Sequence, residues 1–255
     1  MPHERFVGGV DDDPAWLGVD VLLVEPTAID RLVRAASGRF GSDDRALVLA
    51  QVAREAISVL VTVGVHAWAA ERRVPDLTAA NVVVREGPTG VVVGLRRPEV
   101  PDVVDVVDVV DDVKLFRRLL DRVLGEPLPL GALPSGPADQ VAAVATVVAT
   151  VRHTMRTGNR HLWGTAALAA ASTLTRLGPR ADADRARLLA ARPDLARTIE
   201  LVAVPDADDV VTFPIRRTCC LLLKLPAGHQ CGTCSLRPRD DCVARMTAWA
   251  LRSRV

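Results

Sequence analysis

Tyrosine is absent from this 255-residue chain, and phenylalanine and tryptophan supply only four residues each. The interior must therefore be filled by valine, leucine and alanine. No G-x-G-x-x-G follows a strand-like run, so the chain carries no dinucleotide fingerprint and NAD(P)H is not expected to bind. No Ser-His-Asp set and no paired-carboxylate constellation is legible either. Charge of one sign is not in excess: the formal net charge is +1, which gives no bulk reason to bind nucleic acid or an anionic membrane. The stretch from Met1 to Asp20 has Asp11, Asp12 and Asp13 and no basic region ahead of a long apolar run, so a secretory signal is not expected and a cytoplasmic location is. The most apolar stretch, Ala56 to Ala70, is broken by Ser58, Thr62, Gly64 and His66 and falls short of the ~18–20 residues of a membrane span. It reads as a buried helix, with Trp68 and His66 in the core, and no stable membrane insertion is expected.

What is present points to an α+β fold, predominantly helical with a few antiparallel strands. Trp16 to Glu25 reads as a strand or buried entry segment, and Ala28 to Ser37 as a helix. Ser42 suits an N-cap, with Asp43 and Asp44 at the positive end of a long helix running to about Arg73, before Pro75. Asn81 to Val84 and Val91 to Leu95 are β-branched runs around a Gly/Pro turn, the pattern of a hairpin. Asp102 to Lys114 repeats Asp-Val-Val and reads as a helix with a solvated acidic face. Four prolines between Gly125 and Ala138 suggest a linker or long loop. Helices are expected at Asp139 to Thr157, at Leu162 to Leu177, around Asp184 to Ala191, and at Asp241 to Arg252. Val210 to Leu225, interrupted by Pro214, has extended character. The expected division is a mainly helical region over 1–209 and a C-terminal module over 210–255.

Cysteine placement is the informative feature. The first 218 residues contain none, and all five lie between Cys219 and Cys242. Without an export signal, such a cluster reads as a metal site rather than a disulfide framework. Cys231 and Cys234 form a CxxC, in which a tight turn faces both sulfurs to one metal and Gly232 relaxes the turn. Pro226 to Gly228 can reverse the chain to bring Cys219 and Cys220 to it. Adjacent residues on a regular strand point to opposite faces, so joint ligation by Cys219 and Cys220 requires a local irregularity. A [2Fe–2S] core, whose ligands serve two irons, accommodates that pattern; a structural zinc knuckle is the alternative. Cys242 reads as a packed or free thiol, and His229 as an exposed turn residue.

The Cys-Cys-x10-Cys-x2-Cys spacing resembles the C-terminal module of the FhuF-type ferric-siderophore reductases, in which this motif holds a [2Fe–2S] cluster. The Arg216-Arg217-Thr218-Cys219-Cys220 approach and the return from Leu225 to Cys234 are similar as well. A looser match is Arg160-His161-Leu162-Trp163-Gly164, which resembles a Leu-Trp-Gly-Asn stretch ahead of a helix; Thr165 stands where that stretch has Asn. Asp76-Leu77 and Asn81 to Val84 resemble a strand entry of the related siderophore-synthetase C-terminal domains. The resemblance implies Cys219, Cys220, Cys231 and Cys234 as cluster ligands. It also implies one-electron reduction of a ferric siderophore, of hydroxamate type, with release of Fe(II). Hard oxygen donors hold ferrous iron far less tightly than ferric, and an external donor such as a ferredoxin-like protein is implied. Arg160 and Trp163 are candidate substrate contacts, with His153 and His161 near the same junction. A non-enzymatic electron carrier or redox sensor is the alternative reading of the same cluster. Residues 216–255 hold eight Lys/Arg against two acids, a local +6 against −5 in the preceding 215 residues. Such a segment suits an acidic donor or an anionic ferric complex.

Overall fold

The structure is a computed structural model that describes residues 6–10, 13–71, 81–96, 160–191, 193–206 and 209–252. The expectations for Asp76-Leu77, Asp102 to Lys114, Gly125 to Ala138, Asp139 to Thr157 and His153 lie outside the described residues. Seven helices are described: α1 (Val19–Val24), α2 (Pro26–Phe40), α3 (Arg45–Glu71), α4 (Arg160–Arg176), α5 (Asp182–Ala191), α6 (Pro193–Ala196) and α7 (Arg239–Arg252). The strands are β1 (Phe6–Gly8), β2 (Leu17–Gly18), β3 (Val82–Gly87), β4 (Gly90–Leu95), β5 (Ile199–Asp206) and β6 (Asp209–Arg216). The fold is mixed α+β and mostly helical.

An aspartate, rather than the serine two residues before it, starts α3. The Asp44 carboxylate accepts from the backbone N–H groups of Ala46 at 3.0 Å and Leu47 at 3.1 Å, satisfying two donors that the first turn leaves without helical partners. Ser42 lies two residues outside and accepts from the Asp44 N–H at 3.3 Å. From Arg45 the helix runs 27 residues, because the apolar sequence continues N-terminally through Leu47 to Ala53, beyond the stretch read as its core. Among the described residues α3 is the one helix long and apolar enough to cross a membrane, and 78% of its apolar window is buried inside the protein. The polar groups on it fit burial in protein: Gln51 and Glu55 are both buried, and both bond to protein partners. Trp68 is buried as expected, whereas His66 is only partly so.

Helix α4 lies along α3. Ala166, Ala167, Ala170 and Ala171 are fully buried, which lets the two helices approach closely. The hairpin expected around Gly87 to Gly90 is present. Val82 pairs with Leu95 and Gly87 with Gly90, and Gly90 takes a φ of 135° that favours glycine. It forms the centre of a sheet ordered β1-β4-β3-β2, antiparallel except for the parallel β1–β4 pair. The Trp16–Glu25 segment supplies only the two-residue β2 before turning into α1. A short apolar run does not distinguish strand from buried helix by its period.

The second sheet is a hairpin, β5 paired antiparallel with β6 from Ile199↔Arg216 to Asp206↔Asp209. The boundary placed between 209 and 210 thus falls one residue inside β6, so β5 lies on one side of it and nearly all of β6 on the other. Pro214 does not interrupt the strand: it pairs opposite Leu201, and a two-stranded sheet leaves each strand a free edge where a missing N–H costs nothing. Val202, Val204, Phe213 and Ile215 from the hairpin and Cys242 from α7 form a small second core. The loop carrying the other four cysteines runs between these two pieces and packs Leu225 into the main core.

Candidate metal centre

Backbone geometry solves the problem posed by two adjacent cysteines. Leu221, directly after them, adopts φ 62° and ψ 0°, the left-handed region that costs a leucine roughly 1–2 kcal/mol. The chain then turns through a single 3₁₀ turn, Leu222–Lys224. This sequence of left- and right-handed residues aims consecutive N–H groups at sulfur: Leu221 N–H donates to Cys219 Sγ at 3.4 Å, and Leu222 N–H bonds to Cys220. Concave backbone nests of this kind bind anions, including iron–sulfur clusters. The reversal expected at Pro226 to Gly228 is made by Gly228 N–H donating to Leu225 O at 2.8 Å. A Cβ on Gly228 would stand 2.3 Å from Leu222 O, so the close approach of the two arms requires glycine there. Gly232 is different: its φ is not positive, and a Cβ would meet only Met246 Cε at 3.6 Å. The CxxC turn does not depend on it, and is closed instead by Cys234 N–H donating to Cys231 O at 3.1 Å.

The result is that Cys220 and Cys231 meet, with sulfurs 3.7 Å apart. Two thiolates bound to one tetrahedral metal at about 2.3 Å would be separated by about this distance. Cys220 and Cys234 are buried, and Cys219 and Cys231 are half-buried. Among the described residues no three His, Cys, Asp or Glu side chains converge as ligands of a single ion. Proton sharing between the close pair separates their acidities. The S–H···S bond from Cys231 is the main cause that pulls Cys220 down to about 5, against burial and with help from the Leu222 N–H and the charges of Arg216 and Arg54. The same bond, then burial, pushes Cys231 up.

The charges of Arg216 and Arg54 both act on Cys220. Arg216 is only 6% exposed and donates to Thr165 Oγ1 at 3.3 Å. Burial lowers its pKa, while the thiolates of Cys220, Cys231 and Cys219 act to raise it. Arg54 donates to Gln51 Oε1 at 2.8 Å, and Gln51 Nε2 in turn donates to Cys220 O at 3.0 Å, tying the cysteine loop to α3. Gly164 of α4 touches the same strip: a Cβ there would fall 1.8 Å from Thr218 Oγ1. The two stretches that carry the sequence resemblance are therefore packed against each other. Gln51 and Arg54 have no counterpart in the sequence reading, whereas Thr165, which stands where the resembled stretch has Asn, is the residue that accepts from Arg216. An amide in the middle of an apolar helix was the available signal for Gln51.

Cys242 sits apart, 1% exposed in the second core, with its S–H donating to Cys234 O at 3.7 Å and burial raising its pKa. His229 is exposed. Arg160 is exposed in the first turn of α4, and Trp163 is half-buried against the main core.

These features suit a [2Fe–2S] group. Four thiol donors lie on one short loop, N–H groups are aimed at two sulfurs, one thiol is held acidic, and a buried cation is coupled to three of the four. In the metal-free chain, alkylation of Cys220 is expected to persist as pH falls and to drop only through about 5, because the thiolate is the reactive form. Cys231→Ala removes the S–H donor and should move that inflection up toward the ordinary thiol value of about 8.5. Peptide-resolved alkylation rates across pH check this, and a wild-type inflection near 8.5 would contradict it.

No protein-family model matches the chain, and no curated protein matches it.

Proposed function

We propose that this chain is a ferric-siderophore reductase of the cytoplasm, with Cys219, Cys220, Cys231 and Cys234 holding a [2Fe–2S] cluster. When bound, that group supplies electrons singly, as conversion of ferric to ferrous iron requires. The observation that carries the reading is the meeting of Cys220 and Cys231 at 3.7 Å, with N–H groups bonded to Cys219 and Cys220 and a buried arginine coupled to the sulfurs. The nest and Arg216 stabilise negative charge on the sulfurs, and the Gln51 and Thr218 contacts hold the loop on the helical body. The substrate is a ferric chelate, of hydroxamate type on the resemblance, and an acidic ferredoxin-like protein is the fitting donor. Part of the local positive charge is offset, because Arg217 and Arg239 both face Glu200, at 3.9 Å and 2.7 Å.

Anaerobic stopped-flow mixing of the chemically reduced protein with a panel of ferric siderophores tests the proposal. Reoxidation should accelerate with a ferric hydroxamate, and Fe(II) should appear in a chelating trap. NADH added to the oxidised protein should do nothing. Reoxidation no faster than in buffer would favour an electron carrier or redox sensor, and stoichiometric zinc in place of iron would favour a zinc-stabilised binding module.

A further inference from the structure

We infer that Arg216 is the positioning residue that sets the reduction potential of the cysteine site; this rests on the cluster reading above. A guanidinium remains charged in any protein, and burying it demands a counter-charge. Arg216 is 6% exposed, yet among the described residues no carboxylate pairs with it, and its one side-chain hydrogen bond goes to the neutral Thr165 hydroxyl. The anions coupled to it are the sulfurs of Cys220, Cys231 and Cys219. A reduced cluster carries one more negative charge than an oxidised one. A fixed cation that water and salt cannot screen therefore favours the reduced form. Arg54 also acts on Cys220, but it is 22% exposed and has a carboxylate, Glu55, at 3.5 Å; the Arg217 and Arg239 side chains are 55% and 58% exposed and face Glu200. The role falls to one of the eight cations in the C-terminal segment, not to its net +6.

The test is a potentiometric titration of the iron-loaded protein, followed by visible absorbance. Arg216→Gln should disfavour reduction by about tenfold, ~59 mV for a one-electron couple, and the difference should persist at high salt. Arg216→Lys, which keeps the charge, should shift it much less. Arg217→Gln and Arg239→Gln should leave the potential in place. Loss of the cluster from Arg216→Gln but not from Arg216→Lys would support the same counter-charge role, whereas loss from both would assign the side chain to packing and overturn it. An unchanged potential in Arg216→Gln, or equal shifts from the two exposed arginines, overturns the inference while the cluster reading stands. A wild-type protein that assembles no iron–sulfur cluster removes both.

Discussion

Serine at any one of positions 219, 220, 231 or 234 is expected to strip the chain of most of its iron, while Cys242→Ser keeps the wild-type complement. A serine oxygen is a harder, more basic donor than a thiolate and a poor partner for an iron–sulfur core. Changes to groups behind metal ligands already cost about 10–100-fold in affinity, so loss of a ligand should exceed tenfold. The effect should extend beyond the substituted sulfur. Cys220 and Cys231 touch at 3.7 Å, and removing either leaves the other beside Arg216 without its partner. Cys242 differs in kind: its thiol is packed among Val202, Val204, Phe213 and Ile215, and its hydrogen bond goes to a backbone carbonyl. Metal analysis of the five variants after identical iron-replete expression checks this. Iron lost from Cys242→Ser and retained in one of the other four would mean that the ligands are assigned wrongly.

Glu55→Ala should be the most damaging single change to the frame that carries the site. The Glu55 carboxylate accepts both arms of the Arg39 guanidinium, at 3.1 and 2.8 Å, and the Val91 N–H at 3.0 Å. Arg39 also pairs with Glu86. One buried carboxylate therefore joins α2, α3 and both strands of the hairpin. Removing it leaves a largely buried cation with Glu86 as its remaining carboxylate partner and a buried N–H without an acceptor. Breaking a buried pair from one side costs about 3–5 kcal/mol. Arg39 retains 21% exposure, which places this case at the lower end. A loss of ~3 kcal/mol lowers Tm by roughly 6–12 °C in a chain of this size. Equilibrium unfolding measures it, and a double-mutant cycle with Arg39→Ala isolates the pair, since their coupling should exceed what distant sites show. A change below about 0.5 kcal/mol, typical of surface positions, would contradict the network.

The parts legible in sequence are those written in local pattern. Cysteine spacing, the Gly-Pro hairpin turn and the long apolar helix each depend on residues close in the chain. The misses have a common cause. Strand β5 reads Ile-Glu-Leu-Val-Ala-Val, with Ile199, Val202 and Val204 buried, but its identity as a strand depends on pairing with β6 across the turn. The parallel pairing of β1 with β4 joins residues nearly ninety positions apart by their numbering and leaves no local trace. At the site, the motif named the cysteines but could not show that Leu221 would adopt a left-handed backbone. Nor could it show that, of two consecutive arginines, Arg216 would be buried and Arg217 exposed. Strand alternation separates their faces, and only the packing of Thr165 and Gly164 against this strip decides which face is inward.

The central claim is the cluster, and metal content together with the visible spectrum of aerobically purified wild-type protein tests it most directly. The account predicts about two irons per chain and a charge-transfer absorption that bleaches on one-electron reduction. Stoichiometric zinc without iron, from cells grown with ample iron, would contradict it.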